Sequence, residues 1–160
     1  MHRIILADQN VVFRAATARV LTTDENIDIV ALCDAPDELY RAAEEFPGAT
    51  VLFAASLQPD FARLLSLLER SGSRSIVIGD DGDCVWTYLD QGFNSVVFRY
   101  TSAASLMKSV REVAQGAMCI PVPIIGIDSA VDCTAEMSIH ARIRFNHIRF
   151  PAYNTKRNAC

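Results

Sequence analysis

The sequence predicts an α/β domain with a doubly wound parallel sheet, because five short apolar runs alternate with five helix-like segments over residues 1–121. The central run is residues 50–56 (TVLFAAS), which is flanked by turn-forming Pro-Gly and Gln-Pro pairs. A run of this length without polar alternation is typical of a strand that is buried on both faces of a parallel sheet. Right-handed crossovers leave few other arrangements of such strands.

Two predicted strands and two predicted helices precede this central strand. An apolar run over residues 3–7 ends at Asp8, and Asn10 can cap the helix that follows. Ile27–Cys33 is the second strand, and Pro36 suits the first turn of the second helix. The chain thus reaches the central strand in the order strand, helix, strand, helix.

Three predicted helices and two predicted strands follow the central strand. In order they are a helix through residues 61–68, a strand over 75–78, a helix over 83–91, a strand over Ser95–Phe98 and a helix over about 102–115. Asp83 is a natural N-cap for the short fourth helix. In sheets of this class, chemistry takes place where the carboxyl ends of the strands meet.

The charge distribution predicts a boundary after residue 121. Residues 1–119 carry 10 Lys/Arg and 16 Asp/Glu, a net charge of −6, whereas residues 120–160 carry 5 and 3, a net charge of +2. We therefore predict one domain over 1–121 and a C-terminal arm over 122–160. Residues 139–145 alternate between apolar and basic side chains, which indicates an extra, half-buried strand with a basic outer face.

The composition excludes several classes of protein. No stretch approaches the ~20 apolar residues of a membrane helix, and no signal peptide precedes the first strand, so we expect a cytoplasmic protein. Three basic residues on 139–145 are a thin electrostatic footprint for nucleic acid, which we do not expect as a partner. The gaps between Cys119, Cys133, His140 and His147 are far wider than zinc-site spacings, and we predict neither a metal nor a cofactor.

The ordered series of strands and loops resembles the receiver domain of bacterial two-component response regulators, in the group with a LuxR-type (NarL-type) output. The resemblance is carried by the opening RIILADQNVVFRAATARVL and the closing GFNSVVFRYTSAASLMKSVREVAQGAMCIP, and covers residues 1–121. It implies a flavodoxin-like sheet with strand order 2-1-3-4-5 and a role in signal transduction. Residues 122–160 show no pattern of the helix-turn-helix output domain of that group.

The resemblance also implies a site. In that family an acidic pair after strand one holds Mg²⁺, an Asp ending strand three accepts the phosphoryl group, a Thr or Ser ends strand four, and a Lys ends strand five. The matching positions here are Asp8 with Gln9, Ala54, Gly79 and Arg99. The nucleophile, one carboxylate ligand and the hydroxyl are all missing, so we predict a degenerate receiver, a pseudo-receiver, that takes no phosphate at this position.

The same residues leave other uses of the site open. Displaced groups such as Asp80 or Ser56 could serve a shifted Mg²⁺ or phosphoryl site, with Asp81 and Asp83 as further carboxylates. The pocket vacated by the small residues at positions 54 and 79 could admit a ligand. Arg99 could instead pair with Asp8 across the empty pocket and hold it in one state.

Aromatic residues on helix four and strand five predict an interaction face, because receivers typically dimerise or bind partners there. The predicted face consists of Trp86, Tyr88, Val96, Phe98 and Tyr100, with Val96 at the position of the family's switch aromatic. We therefore expect a non-enzymatic regulator that binds itself, as a homodimer, or another protein. The arm is expected to contribute to assembly as an added or exchanged edge strand.

Overall fold

The computed structural model describes residues 1–118 of the 160-residue chain. The predicted boundary at residue 121, the arm over 122–160 and its strand over 139–145 lie outside these described residues. Among residues 1–118, no helix is long and apolar enough to cross a membrane.

The five strands form one parallel sheet in the order β2-β1-β3-β4-β5, which confirms the predicted fold class and strand order. The elements are β1 (His2–Ala7), α1 (Val11–Leu21), β2 (Ile27–Cys33), α2 (Pro36–Glu45), β3 (Thr50–Ala54), a 3-10 turn (Ala55–Leu57), α3 (Phe61–Ser71), β4 (Arg74–Gly79), α4 (Val85–Leu89), β5 (Ser95–Phe98) and α5 (Ala103–Ala114).

The central position of β3 explains its apolar sequence. All five of its residues are buried, since helices cover both faces of the sheet. Phe53 packs in a core with residues of α2, α3 and α4, whereas Leu52 packs in a second core with residues of α1 and α5. The uninterrupted apolar run therefore reflects burial on two sides, as predicted.

The register places the carboxyl ends of the inner strands at one edge of the sheet. Ala7 of β1 pairs with Phe53 of β3, and Ala54 pairs with Ile78 of β4. At the next step Gly79 of β4 pairs with Phe98 of β5. Residues that end or directly follow these four strands are therefore neighbours in space.

One helix start agrees with its predicted cap, and another does not. The Asn10 side chain accepts a hydrogen bond from the Phe13 amide at 3.0 Å, which caps α1 as predicted. Helix α4 begins at Val85, not at residue 83, and its N-cap is Cys84. The predicted cap at Asp83 is wrong because that carboxylate accepts hydrogen bonds from the Asp80 amide and the Tyr88 hydroxyl instead.

Candidate functional site

The candidate site is the rim of the sheet, which we define as Asp8, Ala54, Gly79 and Arg99. Asp8 directly follows β1, Ala54 ends β3, Gly79 ends β4 and Arg99 directly follows β5. The structure thus brings together the four positions that the resemblance to receiver domains selected. They lie at the edge where sheets of this class carry their chemistry. Gln9, the fifth predicted residue, is exposed beside the rim.

Ala54 and Gly79 bring no functional group to the rim. Both residues are buried, and Ala54 has no measurable exposed surface. A methyl group is neither a nucleophile nor a metal ligand, and a glycine has no hydroxyl to offer. These two positions therefore contribute no reactive group, and the polar groups near the rim come from Asp8 and Arg99 and from two residues that follow β3 and β4, Ser56 and Asp80.

Arg99 gathers those polar groups into one cluster. Its Nη1 donates to Asp8 Oδ2 at 2.9 Å, its Nη2 donates to Ser56 Oγ at 2.9 Å, and its Nε donates to Asp80 Oδ1 at 2.6 Å. The guanidinium also lies over the Phe13 ring, with its central carbon 4.6 Å from the ring centroid. We call Arg99, Asp8, Ser56 and Asp80 the Arg99 cluster.

The Arg99 side chain reaches across the edge of the sheet to the end of β1. Strands β5 and β1 are separated by β4 and β3, so three spacings of ~4.8 Å lie between their ends. The Arg99 side chain therefore has to pass across the ends of β4 and β3, where Gly79 and Ala54 lie.

The electrostatics of the cluster favour its charged state. The Asp8 side chain is fully buried, and Asn10 also donates its backbone N–H to Asp8 Oδ1 at 2.8 Å. Burial acts to lower the pKa of Arg99, but hydrogen bonds to Asp8 and Asp80 outweigh it and raise this pKa above its usual value. One guanidinium thus compensates two carboxylates, one of them withdrawn from water.

The loop after β4 is fixed by a second set of contacts. Asp83 Oδ2 accepts hydrogen bonds from the Asp80 amide at 2.9 Å and from the Tyr88 hydroxyl at 2.7 Å. Burial and this hydrogen bond raise the pKa of the Tyr88 phenol. A side chain at Gly79 would meet two ring carbons of Phe98 at 3.2 and 3.3 Å, and Asp83 Oδ2 at 3.4 Å. The loop and the Phe98 ring therefore close over the place where the family has a hydroxyl.

Only part of the predicted interaction face is exposed to solvent. Tyr100 is 70% exposed and its ring stacks on Phe98 at a centroid distance of 5.3 Å. Trp86 and Phe98 are half-buried. Tyr88 and Val96 are buried in the core, so their inclusion in an exposed face is corrected. Tyr88 turns inward because its ring packs edge-on against an aromatic ring of α3 and its hydroxyl bonds to the loop after β4.

The Mg²⁺ that the family implies does not fit these residues. Asp8 is the remaining carboxylate of the acidic pair, and both of its oxygens accept hydrogen bonds from N–H groups of Asn10 and Arg99. Asp80 is paired with Arg99, and Asp83 with Tyr88. Within residues 1–118, no group of three or more Asp, Glu, His or Cys side chains is arranged to hold a metal ion.

A small cavity lies behind the rim between α1, α5 and the last two strands. Its lining residues are Phe13, Thr17, Ile78, Val97, Phe98, Thr101 and Leu106. The volume is about 20 Å³, which suits one water molecule. Ala54 and Gly79 are not among the lining residues, so this cavity is not the vacated phosphoryl pocket.

The sequence did not reveal several members of the site. The sequence pattern indicates neither the contact of Phe13 with Arg99 nor the contact of Phe98 with position 79. The N-cap at Asn10 was the available signal for Phe13, because it places the first turn of α1 beside the end of β1. Nothing in the spacing of Phe98 indicated that its ring covers Gly79.

No protein-family model and no curated protein matches this sequence. Solved structures do match. The receiver domain of the response regulator NarL from Mycobacterium tuberculosis is 19% identical, with a TM-score of 0.63 over 72% of this chain and 97% of that one. A LuxR-family two-component response regulator from Aurantimonas sp. SI85-9A1 is 18% identical, with a TM-score of 0.65 over 76% and 89%.

A third similar structure is the isolated receiver domain of RcsB from Salmonella enterica serovar Typhimurium, determined with the phosphomimetic BeF₃⁻. It is 16% identical, with a TM-score of 0.65 over 75% of this chain and 93% of that domain. Likenesses at this level of identity establish the fold. Residues 1–118 have the fold of response-regulator receiver domains.

Proposed function

We propose that this chain is a pseudo-receiver: a non-enzymatic, cytoplasmic signalling module that acts through protein contacts and does not depend on phosphorylation of an aspartate. The observation that carries the proposal is the rim itself. A buried alanine ends β3, and the cation after β5 is bound to Asp8 and Asp80. The geometry therefore supports a fixed rim in place of a switchable one.

Phosphoryl transfer to a protein needs an attacking group and positive charge against the developing negative charge. Ala54 supplies no attacking atom. Arg99 has the required charge, but its hydrogen bonds already go to Asp8, Ser56 and Asp80. The rim thus contains neither a nucleophile at the end of β3 nor an unengaged cation.

The proposal is tested by incubating the full chain with Mg²⁺ and the small phosphodonor phosphoramidate, followed by intact mass spectrometry. A phosphorylatable receiver domain serves as the reaction control. We expect no gain of a phosphoryl mass for the wild type. We also expect none for Ala54→Asp alone, because Gln9 and the Arg99 cluster still leave no metal site. Stable or hydroxylamine-labile labelling of the wild type would contradict the proposal.

The structure gives no support to a displaced phosphoryl site. Ser56 and Asp80 are both hydrogen-bonded to Arg99, and a serine hydroxyl is a weak nucleophile without a base. Within residues 1–118, a ligand-sensing role lacks support as well, because Phe98 covers Gly79 and the nearby cavity has room for about one water. Peptide mapping of the phosphoramidate reaction would detect labelling at either residue.

Protein contact is the remaining route for a signal, and we propose that it uses the surface around Tyr100. Tyr100 is exposed and backed by Phe98, and such supported aromatic rings are enriched in interfaces. We further propose that residues 122–160 contribute to a homodimer. Deletion of 122–160 should then shift the mass in light scattering to that of a monomer, whereas an unchanged mass would contradict a role for the arm. Tyr100→Ser tests the surface separately.

A further inference from the structure

We propose that the Arg99 guanidinium is an internal cation that takes the place of a divalent metal ion between Asp8 and Asp80. Its oxygen partners would then form a latent site for a hard divalent cation, closed as long as Arg99 is present. This inference rests on the proposed function, since it concerns the same rim. It identifies Arg99 as the group that closes the rim. It also identifies a hard divalent cation as the class of ligand that the rim would bind without Arg99.

The burial of Asp8 requires a compensating positive charge. Its side chain is completely buried, and an ionised carboxylate in such a place requires a cation or several strong hydrogen-bond donors. Asn10 supplies one neutral donor, its backbone N–H, at 2.8 Å. Arg99 supplies the positive charge through its Nη1 at 2.9 Å and, at the longer distance of 3.5 Å, its Nη2. The pairing with Arg99 thus stabilises the buried carboxylate of Asp8 at the end of β1.

Oxygen atoms that follow three different strands surround the guanidinium. Asp8 follows β1, Ser56 follows β3 and Asp80 follows β4, and each places an oxygen within 2.9 Å of an Arg99 nitrogen. Two carboxylates and a hydroxyl are hard oxygen donors of the type that Mg²⁺ and Mn²⁺ bind. Here these oxygens converge on the planar, N–H-bearing guanidinium of Arg99. A protein side chain therefore balances the negative charge of the two carboxylates, as a metal ion would in a metal site.

The guanidinium and a divalent cation would exclude each other at this site. A divalent cation at these oxygens would have to displace the guanidinium or lie in contact with it, and like charges repel strongly at such distances in a partly buried site. The Arg99 side chain is only 24% exposed, and Asp80 and Phe13 contact its guanidinium. Displacement would therefore also require these contacts to break. Removal of the guanidinium, with Gln9 unchanged, should open the site.

The test is thermal unfolding of the full chain in increasing MgCl₂ at constant ionic strength, for the wild type, Arg99→Ala and Arg99→Lys. Arg99→Ala should unfold at a lower temperature without Mg²⁺. Its Tm should then rise by about 3–6 °C once Mg²⁺ exceeds the dissociation constant about tenfold. The wild type and Arg99→Lys should show no such rise, because each retains a cation at the rim.

Two further measurements keep the test decisive. Arg99→Ala/Asp8→Asn should lose the response to Mg²⁺, which assigns the site to Asp8. If Arg99→Ala is unfolded in buffer, the readout becomes recovery of its circular dichroism with Mg²⁺ or with methylguanidinium, a small-molecule replacement for the missing group. An Arg99→Ala protein that responds to neither would overturn the inference, as would a wild type that responds to Mg²⁺ equally.

Failure of this inference is distinguishable from failure of the proposed function. A wild-type chain that gains a phosphoryl mass contradicts the pseudo-receiver proposal, whatever Arg99→Ala does. An Arg99→Ala chain that ignores Mg²⁺ and methylguanidinium contradicts the internal cation, and leaves the phosphorylation result unaffected.

Discussion

Two arginine–aspartate pairs join the beginning and the end of the domain at opposite edges of the sheet. At the carboxyl edge, Arg99 Nη1 lies 2.9 Å from Asp8 Oδ2. At the amino edge, Arg111 of α5 lies 2.7 Å from Asp24 in the loop between α1 and β2. Both pairs connect residues that are far apart in sequence, and both use the same two side-chain types.

Burial separates the two pairs. At the amino edge, the Arg111 side chain is 53% exposed, so water screens the interaction on the arginine side. The Asp24 side chain is only 8% exposed, but without Arg111 it would keep two hydrogen bonds from Asn26, one from the backbone amide and one from the side chain. Asp8 is completely buried at the carboxyl edge, and without Arg99 it would keep one hydrogen bond, from the Asn10 backbone N–H. The same chemistry thus serves as a minor surface contact at one edge and as an obligatory one at the other. The obligatory pair lies at the edge where receiver folds have their site.

The largest difference is expected when each arginine is neutralised. Arg99→Gln should lower the free energy of unfolding by about 3–5 kcal/mol, because it leaves Asp8 buried without a cation. Arg111→Gln is the matched control and should cost only about 0–1 kcal/mol. Urea denaturation followed by circular dichroism measures both. Equal losses for the two variants would refute the distinction between the edges.

A second test introduces the family's hydroxyl at the rim. Gly79→Thr should lower the free energy of unfolding by about 1–3 kcal/mol, because its Cβ would lie 3.2 Å from a ring carbon of Phe98. Gly79→Ala, with one methyl group, should cost less. Combining Gly79→Thr with Phe98→Ala should recover part of the loss in a double-mutant cycle. Strictly additive losses would show that Phe98 is not the obstacle.

The decrease in the free energy of unfolding at alkaline pH tests the contact between Tyr88 and the loop after β4. Burial and the hydrogen bond to Asp83 raise the pKa of Tyr88, so its contribution is full below the unfolded value of ~10 and is lost as pH rises further. Tyr88→Phe should therefore cost roughly 1.5 kcal/mol at neutral pH and flatten the decline above pH ~10. Tyr100→Phe, on an exposed ring, is the control. Identical alkaline profiles for wild type and Tyr88→Phe would count against this contact.

The smallest effect is expected for Asp24 at the amino edge, on the decrease in the free energy of unfolding at acid pH. Hydrogen bonds from the Asn26 backbone amide and then from Arg111 lower the pKa of Asp24. This contribution is therefore present above the unfolded value of ~3.9 and is lost as pH falls through the lower folded value. Asp24→Asn should flatten the acid decline slightly in pH-dependent urea unfolding, with Asp28→Asn as a surface control. A steeper decline in Asp24→Asn would contradict this sign.

Most of the fold was predictable because each strand corresponds to a short apolar run in the sequence. The second and fifth strands match their predicted limits, and the first begins one residue earlier than predicted. The third occupies residues 50–54 of the apolar run 50–56, and the fourth extends one residue beyond each predicted limit. The start of α4 was not predictable from Asp83, because an aspartate before a helix can bond to the helix or to a loop. Here the Asp80 amide and the Tyr88 hydroxyl compete successfully for its carboxylate.

The candidate site was predictable in position but not in its contacts. Topology alone brings Asp8, Ala54, Gly79 and Arg99 to one edge, and the resemblance selected them. The attachment of Ser56 and Asp80 to Arg99 depends on how far a flexible side chain reaches across two strand ends, which spacing does not encode. The burial of Val96 follows from helices that cover both faces of β5, a consequence of the assembled sheet.

The most direct test of the central account is an amide NMR titration of the wild-type chain, first with Mg²⁺ and then with beryllofluoride, a phosphoryl mimic. The account predicts no saturable shifts at the amides of Asp8, Ala54 and Arg99, because the rim has no acceptor and its cation is already bound. Saturable shifts concentrated at these three amides would show a working cation or phosphoryl site and contradict the account.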